Sequence, residues 1–306
     1  MQSTVKASVF FSGNGLHSGE FVKVTIRPAT VEHGIWFRRL DVTNTDNLVP
    51  AIWHAVEPTR LCTRIVNQSG VSVSTVEHLM AALAGCGVRN ALIDIDGPEV
   101  PILDGSAAPF VRGILARGLL KQNEPMRAIE MLESVEVQEG GSVARLEPGS
   151  GFAMDFGIDF AEEAIGRQHK ALDLSNGAFV HELSDSRTFC LQSEVDLMRA
   201  SGLALGGTLD NAVVFDGAKV LSPGGLRHGD EPVRHKMLDA VGDLALAGAP
   251  IVGRYTGVRA GHALTNKLLR ELFSRPMSHR FVECDPEMEA SLLGAGVTRE
   301  DALALN

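Results

Sequence analysis

The sequence predicts an α+β fold in two domains, with mainly antiparallel sheets covered on one face by helices. Three observations carry that prediction. Short β-branched or aromatic segments broken by Gly, Pro, Asn or Ser come first, and helical patterns follow them. The same order then begins again after a polar, proline-containing stretch at Leu120–Pro125. A length of 306 residues with 44% hydrophobic and 22% charged side chains suits two medium domains with ordinary cores.

In the first third, strands are expected at Val5–Phe11, Phe21–Arg27, Ile35–Arg38, Leu61–Val66 and Val71–Ser74. A helix over about Thr75–Ala84 is closed by Gly85 and Gly87, and Ala91–Ile95 is a further strand. Pro109–Arg117 reads as a short helix with Gly118 behind it. The polar stretch that follows sets the boundary, giving domains of 1–124 and 125–306. The second domain restarts with strands at Arg127–Ile129, Ser134–Gln138, Val143–Glu147 and Phe152–Phe160, with Glu139-Gly140-Gly141 as a hairpin turn. Helices are expected at Ala178–Leu183, Glu194–Ala200, Val233–Ala247 and Ala263–Phe273, and a strand at Ile251–Tyr255. A cleft between two such domains is a common small-molecule site.

A net charge of −10 argues against a general nucleic-acid binder, because no surplus of Lys and Arg faces phosphates. It leaves room for a local basic pocket. Cys62, Cys86, Cys190 and Cys284 form no C-x-x-C pair, so reduced thiols are the simple reading. The start Met1-Gln2-Ser3-Thr4-Val5-Lys6 lacks the pattern of a secretory signal. No apolar run approaches the roughly 20 residues of a membrane helix. The expectation is a cytoplasmic monomer without stable membrane insertion.

The helix from Val233 carries the strongest chemical signal. Pro232 suits its first position and Gly248 its end. Val233, Met237, Val241 and Leu244 make one apolar stripe, and His235, Asp239 and Asp243 recur at i, i+4 on the other side. Either that side is a solvated polar face, or an imidazole and a carboxylate one turn apart grip a metal. Glu77-His78 offers a similar choice. Ser74-x-x-Glu77 matches a capping box. Alternatively His78 is a third metal ligand and Glu77 the general base for an attacking water. His262 follows a glycine-bounded loop; it is a structural residue, or an imidazolium that stabilises an oxyanion and protonates a leaving amine, oriented by Asp243. His17, in Gly13-Asn14-Gly15-Leu16-His17-Ser18-Gly19, sits in a tight connection near the cleft rather than in a P-loop. His33, His54, His169, His181, His228 and His279 show no metal spacing.

Several separated motifs together resemble one family. Ser74-Thr75-Val76-Glu77-His78-Leu79 with Ala81-Ala82-Leu83, then Pro98 through Ser106, Arg187-Thr188-Phe189, Val233 through Asp243, and Ala260 through Lys267 occur in the order found in the UDP-3-O-acyl-N-acetylglucosamine deacetylases. These are zinc amidases of lipid A biosynthesis. The resemblance covers nearly the whole chain. It implies that each domain pairs its sheet with two helices and that the active site lies at the domain interface. It implies Zn2+ on His78, His235 and Asp239. It also implies Glu77 as base, His262 as acid and oxyanion stabiliser held by Asp243, and Thr188 as oxyanion donor. Lys236 and Phe189 would hold the sugar, and Asp159, Phe160 and Arg259 the sugar or nucleotide. A β-α-β insert over about 190–215, with Val195, Leu197, Met198, Leu203 and Leu205, would form an acyl passage. The implied reaction is removal of the N-acetyl group from UDP-3-O-(3-hydroxyacyl)-N-acetylglucosamine, with no nucleic-acid partner. Two alternatives stand beside it: a zinc amidase for another N-acyl sugar or nucleotide, and a silent binder of nucleotide sugars or acyl chains.

Overall fold

A computed structural model describes every residue except Arg60 and Asn306. The first part of the chain runs β1 (Ser3–Val5), β2 (Val9–Asn14), β3 (Phe21–Pro28), β4 (Ile35–Arg39), β5 (Leu48–Pro50), β6 (Val56–Glu57), β7 (Arg64–Val66), β8 (Ser72–Val73), α1 (Glu77–Gly85), β9 (Ala91–Ile95), α2 (Ala108–Arg117) and β10 (Leu119–Lys121). Five of these strands form a sheet of order β2-β3-β9-β4-β5, antiparallel except where β4 meets β9. Its alternation is plain in β3, where Val22, Val24 and Ile26 are buried while Phe21 and Lys23 face out.

The rest runs β11 (Arg127–Met131), β12 (Val135–Glu139), β13 (Ser142–Glu147), β14 (Phe152–Asp159), β15 (Arg167–Asp173), β16 (Phe189–Leu191), α3 (Gln192–Ala200), β17 (Val213–Asp216), β18 (Lys219–Val220), α4 (Glu231–Ala245), β19 (Ile251–Val258), α5 (His262–Ser274), β20 (His279–Glu283) and α6 (Pro286–Ser291). A seven-stranded sheet gathers β11–β15 with β19 and β20, and β19 lies at its centre, paired with β11, β13 and β14. The β12–β13 turn is Gly140-Gly141, both at positive φ, as a two-residue hairpin needs. The fold is α+β with mainly antiparallel sheets.

Four local expectations need correction. The strand expected over Val5–Phe11 is split: β1 leaves the sheet to pair with β10, while β2 begins at Val9. The helix expected over Ala178–Leu183 is a single π turn, Phe179–Leu183. Strands β15 and β20 were not expected, because RQHKALD and HRFVE expose most of their side chains and carry too few apolar residues to mark a strand. Leu119–Lys121, which overlaps the start of the polar stretch, is also a strand.

One apolar cluster runs from the first sheet through α1 and α4 to the second. All nine residues of α1 are buried, as expected of a helix packed on every side. Against it lies α4, at a separation that Gly242 permits. A side chain there would run into the Glu77 carbonyl oxygen. That contact sets the start of α1 beside the C-terminal part of α4.

Candidate active site

Each reactive side chain is delivered by an element end or by the α1–α4 contact. Just before α1, Thr75 takes a left-handed φ of 56°, uncommon for a β-branched residue, and its hydroxyl donates to Glu99 Oε1 at 2.8 Å. The capping box does not form. Val76 precedes the helix without a side-chain cap, and Glu77 Oε2 instead accepts the Thr63 N–H at 3.0 Å. Nor is the polar side of α4 solvated: His235, Asp239 and Asp243 are all buried. Buried carboxylates need partners for their charge, and the partners of Asp239 and Asp243 build the site.

His78, His235 and Asp239 offer three ligand atoms within 4.8 Å of one another. His235 Nε2 lies 3.3 Å from Asp239 Oδ1, and His78 Nε2 lies 3.5 Å from the same oxygen. The two rings stand nearly perpendicular, their centroids 5.0 Å apart. His235 Nδ1 meets the Ser186 carbonyl oxygen at 3.0 Å, so that nitrogen carries the proton and Nε2 keeps its lone pair. Burial lowers the His235 pKa to about 4, against the pull of Asp239, so the ring is neutral near pH 7. Burial also works against the Asp239 charge. His235 when protonated, and Lys236, whose Nζ donates to Oδ2 at 2.7 Å, keep that carboxyl well below its usual range. The Nε2 lone pair of neutral His235 facing an ionised carboxylate repels it unless a cation lies between them. The donor set, two imidazoles and a carboxylate, is one that zinc takes. Ligands about 2.0–2.1 Å from a tetrahedral ion lie about 3.3 Å apart, close to the spacings seen here. The residues fit a metal.

Beside this cluster, His262 begins α5, separated from the end of β19 by Arg259, Ala260 and Gly261. Its Nδ1 donates to Asp243 Oδ2 at 2.8 Å, and its Nε2 faces Glu77 Oε1 at 3.7 Å. Burial disfavours the imidazolium, but Asp243, Glu77 and Asp239 together outweigh it and raise the pKa to about 9. For Glu77 burial dominates and raises the pKa. A bound cation would oppose both shifts. The arrangement therefore sets a carboxylate and an imidazolium on either side of one small space.

That space opens into a cleft of about 410 Å³ lined by Glu77, His78, His235, Lys236, Asp239 and His262, together with Thr188, Phe160, Phe189 and Arg259. Arg187 reaches buried Glu231 through Nε at 2.9 Å, which fixes the chain on both sides: Ser186 toward His235 and Thr188 toward the cleft. Phe189 packs edge-on against Phe160 and His235. Arg259, at φ 50°, donates to the Gly141 carbonyl oxygen and lies at the rim. Asp159 is exposed at the end of β14 and does not line the cleft.

Three residues here carried no strong sequence signal. His17 lines the cleft, and both its ring nitrogens are buried without a partner; burial lowers its pKa. Buried Glu99 accepts the N–H groups of His17 and Ser18 and so pins that loop, and Gly15 leaves the space Glu99 occupies. Thr63 touches both Glu77 and Asp243. The strand–helix–strand of β16, α3 and β17 stands at the cleft mouth, with Leu197 and Leu205 exposed.

Residues 2–274 match the family model described as LpxC, UDP-3-O-acyl N-acetylglycosamine deacetylase. The chain belongs to this family. A UDP-3-O-acyl-N-acetylglucosamine deacetylase of Phenylobacterium zucineum (strain HLK1) is 50% identical over 279 residues, covering 91% of this chain and 95% of that protein. Proteins of the same name from Pasteurella multocida (strain Pm70) and Shewanella halifaxensis (strain HAW-EB4) are 45% and 44% identical, each over 93% or more of both chains. The match to the deacetylase family takes in every element that supplies a side chain to the cleft. No helix is long and apolar enough to cross a membrane among the described residues.

Proposed function

We propose that this chain is a zinc-dependent N-deacetylase that hydrolyses the acetamide of UDP-3-O-(3-hydroxyacyl)-N-acetylglucosamine, releasing acetate and a free amine in lipid A biosynthesis. The observation that carries the reading is the placement of Glu77 and His262 on either side of one space beside the His78, His235 and Asp239 cluster. A pure binder of nucleotide sugars has no use for a base and an acid facing each other there.

His78, His235 and Asp239 would hold the metal. Zinc at such a site polarises an amide carbonyl and makes water more acidic. Glu77 takes the proton of the attacking water through Oε1, its other oxygen being engaged by the Thr63 N–H. His262, held cationic by Asp243, donates from Nε2 to the developing oxyanion, and the Thr188 hydroxyl is the second donor. His262 then gives its proton to the departing nitrogen, so the sugar leaves as an amine. Phe189, Phe160 and Lys236 border the sugar subsite, and Arg259 meets the nucleotide end. We assign Asp159 to the same end through its neighbour Phe160, which lines the cleft. The exposed leucines of α3 and the loop after it take the acyl chain. The reading carries with it a cytoplasmic, monomeric enzyme of two domains, 1–124 and 125–306.

The test is acetate release, followed by mass spectrometry, from UDP-3-O-(3-hydroxyacyl)-N-acetylglucosamine. Loss on chelation and return with added zinc are expected. Full turnover in chelated protein, or turnover of a different N-acyl sugar alone, overturns the reading.

A further inference from the structure

Thr63 stands just before β7 and is fully engaged within the protein. Its backbone N–H donates to Glu77 Oε2 at 3.0 Å, its carbonyl accepts the Val76 N–H at 3.2 Å, and its hydroxyl donates to Asp243 Oδ1 at 2.5 Å. It is buried, and the carboxylates it meets come from α1 and α4, lying 14 and 180 residues further along the chain. With the contacts of His262, these bonds close a ring from Thr63 to Glu77, across to His262, to Asp243 and back.

We infer that Thr63 is a positioning residue that fixes the base and the acid relative to each other through one side chain and its own backbone. A carboxylate torsion is broad, so a buried Asp243 with one bonded oxygen swings about that bond. The Thr63 hydroxyl occupies Oδ1 and leaves Oδ2 aimed at His262 Nδ1. That bond selects the His262 orientation in which Nε2 faces the cleft. The backbone N–H does the same for Glu77, occupying Oε2 and leaving Oε1 toward the reacting space. An ionised carboxylate only accepts, so a hydroxyl with a single proton suits Oδ1, and a methyl in its place leaves that oxygen buried and bare.

The kinetic part of this inference rests on the deacetylase reading; the spectroscopic part does not. Thr63→Val keeps the shape and the backbone bond to Glu77 and removes only the hydroxyl. Thr63→Ser keeps the hydroxyl. In the full-length protein as purified, Thr63→Val is expected to lower kcat by about 10–100-fold, as loss of an orienting partner does, with KM and bound metal unchanged. Thr63→Ser should restore the rate. By NMR, the Nδ1 proton of His262 should give a slowly exchanging low-field resonance in wild type and Thr63→Ser that is lost in Thr63→Val. An unchanged kcat in Thr63→Val, a Ser variant as impaired as Val, or a resonance that survives in Thr63→Val overturns the inference. If the wild-type protein itself releases no acetate, the functional reading fails, and the resonance alone decides the role of Thr63.

Discussion

Glu77 Oε1 and His262 Nε2 stand 3.7 Å apart on opposite sides of the cleft floor, beyond hydrogen-bond reach. At that distance the two groups do not share a proton directly. A base and an acid that bonded directly would neutralise each other in the resting protein. In the proposed mechanism this spacing lets each keep its own task.

The first prediction concerns that pair. Glu77→Ala should leave the metal in place, because Glu77 supplies none of the three clustered ligand atoms. Its turnover should fall by about 10²–10⁴-fold, the range for loss of a general base. Elemental analysis alongside kcat checks both halves; a variant with wild-type turnover removes Glu77 from the mechanism.

His235→Ala and Asp239→Ala should each lose bound metal as well as activity, whereas Lys236→Ala should keep most of the metal. Lys236 touches Asp239 Oδ2, while the oxygen nearest both imidazoles is Oδ1. Metal stoichiometry after dialysis measures this. A Lys236→Ala protein as metal-poor as His235→Ala would show that the lysine fixes the ligand itself.

Gly242→Ala should damage the site without touching a reactive group. The added methyl meets the Glu77 carbonyl oxygen, so α1 and α4 must separate. Overpacking of this kind costs about 1–3 kcal/mol. Metal affinity should fall as well, because His78 moves with α1 while His235 and Asp239 move with α4. Denaturant unfolding and metal titration of the variant test the two effects separately.

Acid sensitivity should trace in part to Glu231. Burial opposes its charge, but the Arg187 side chain and the N–H groups of Arg187 and Arg227 outweigh that and lower its pKa. A carboxylate with a lowered folded-state pKa stabilises the fold above its unfolded value, and that stability disappears as pH falls through the folded value. At pH 7, Glu231→Gln should therefore cost about 3–5 kcal/mol, as breaking one side of a buried pair does. The gap between wild type and variant should narrow as pH drops below the ordinary range of a glutamate carboxyl. A gap that stays constant with pH would mean Glu231 matters for packing alone.

Much of the site was legible because its chemistry repeats at helical spacing. His235, Asp239 and Asp243 are marked by i, i+4 recurrence, and Glu77-His78 by its place at a helix start. Local pattern misled at Ser74-x-x-Glu77, where a cap was plausible until a distant N–H, that of Thr63, claimed the carboxylate. Strands β15 and β20 escaped because exposed strands lack the apolar alternation that marks a half-buried one. The place of His17 near the cleft was legible, but the contacts of Thr63, His17 and Glu99 were not, for another reason. Their importance lies in partners 14 to 180 residues away, and no local spacing encodes a contact of that kind.

The close approach at Gly242 has a last consequence. The ligands that would hold a metal are divided between two helices whose separation is set by a missing side chain. A slight loosening of that contact spreads the ligands while leaving nearly every strand paired. Such a protein would look folded by circular dichroism and still bind its metal weakly. Metal affinity is thus a finer gauge of correct assembly in this chain than any measure of its secondary structure.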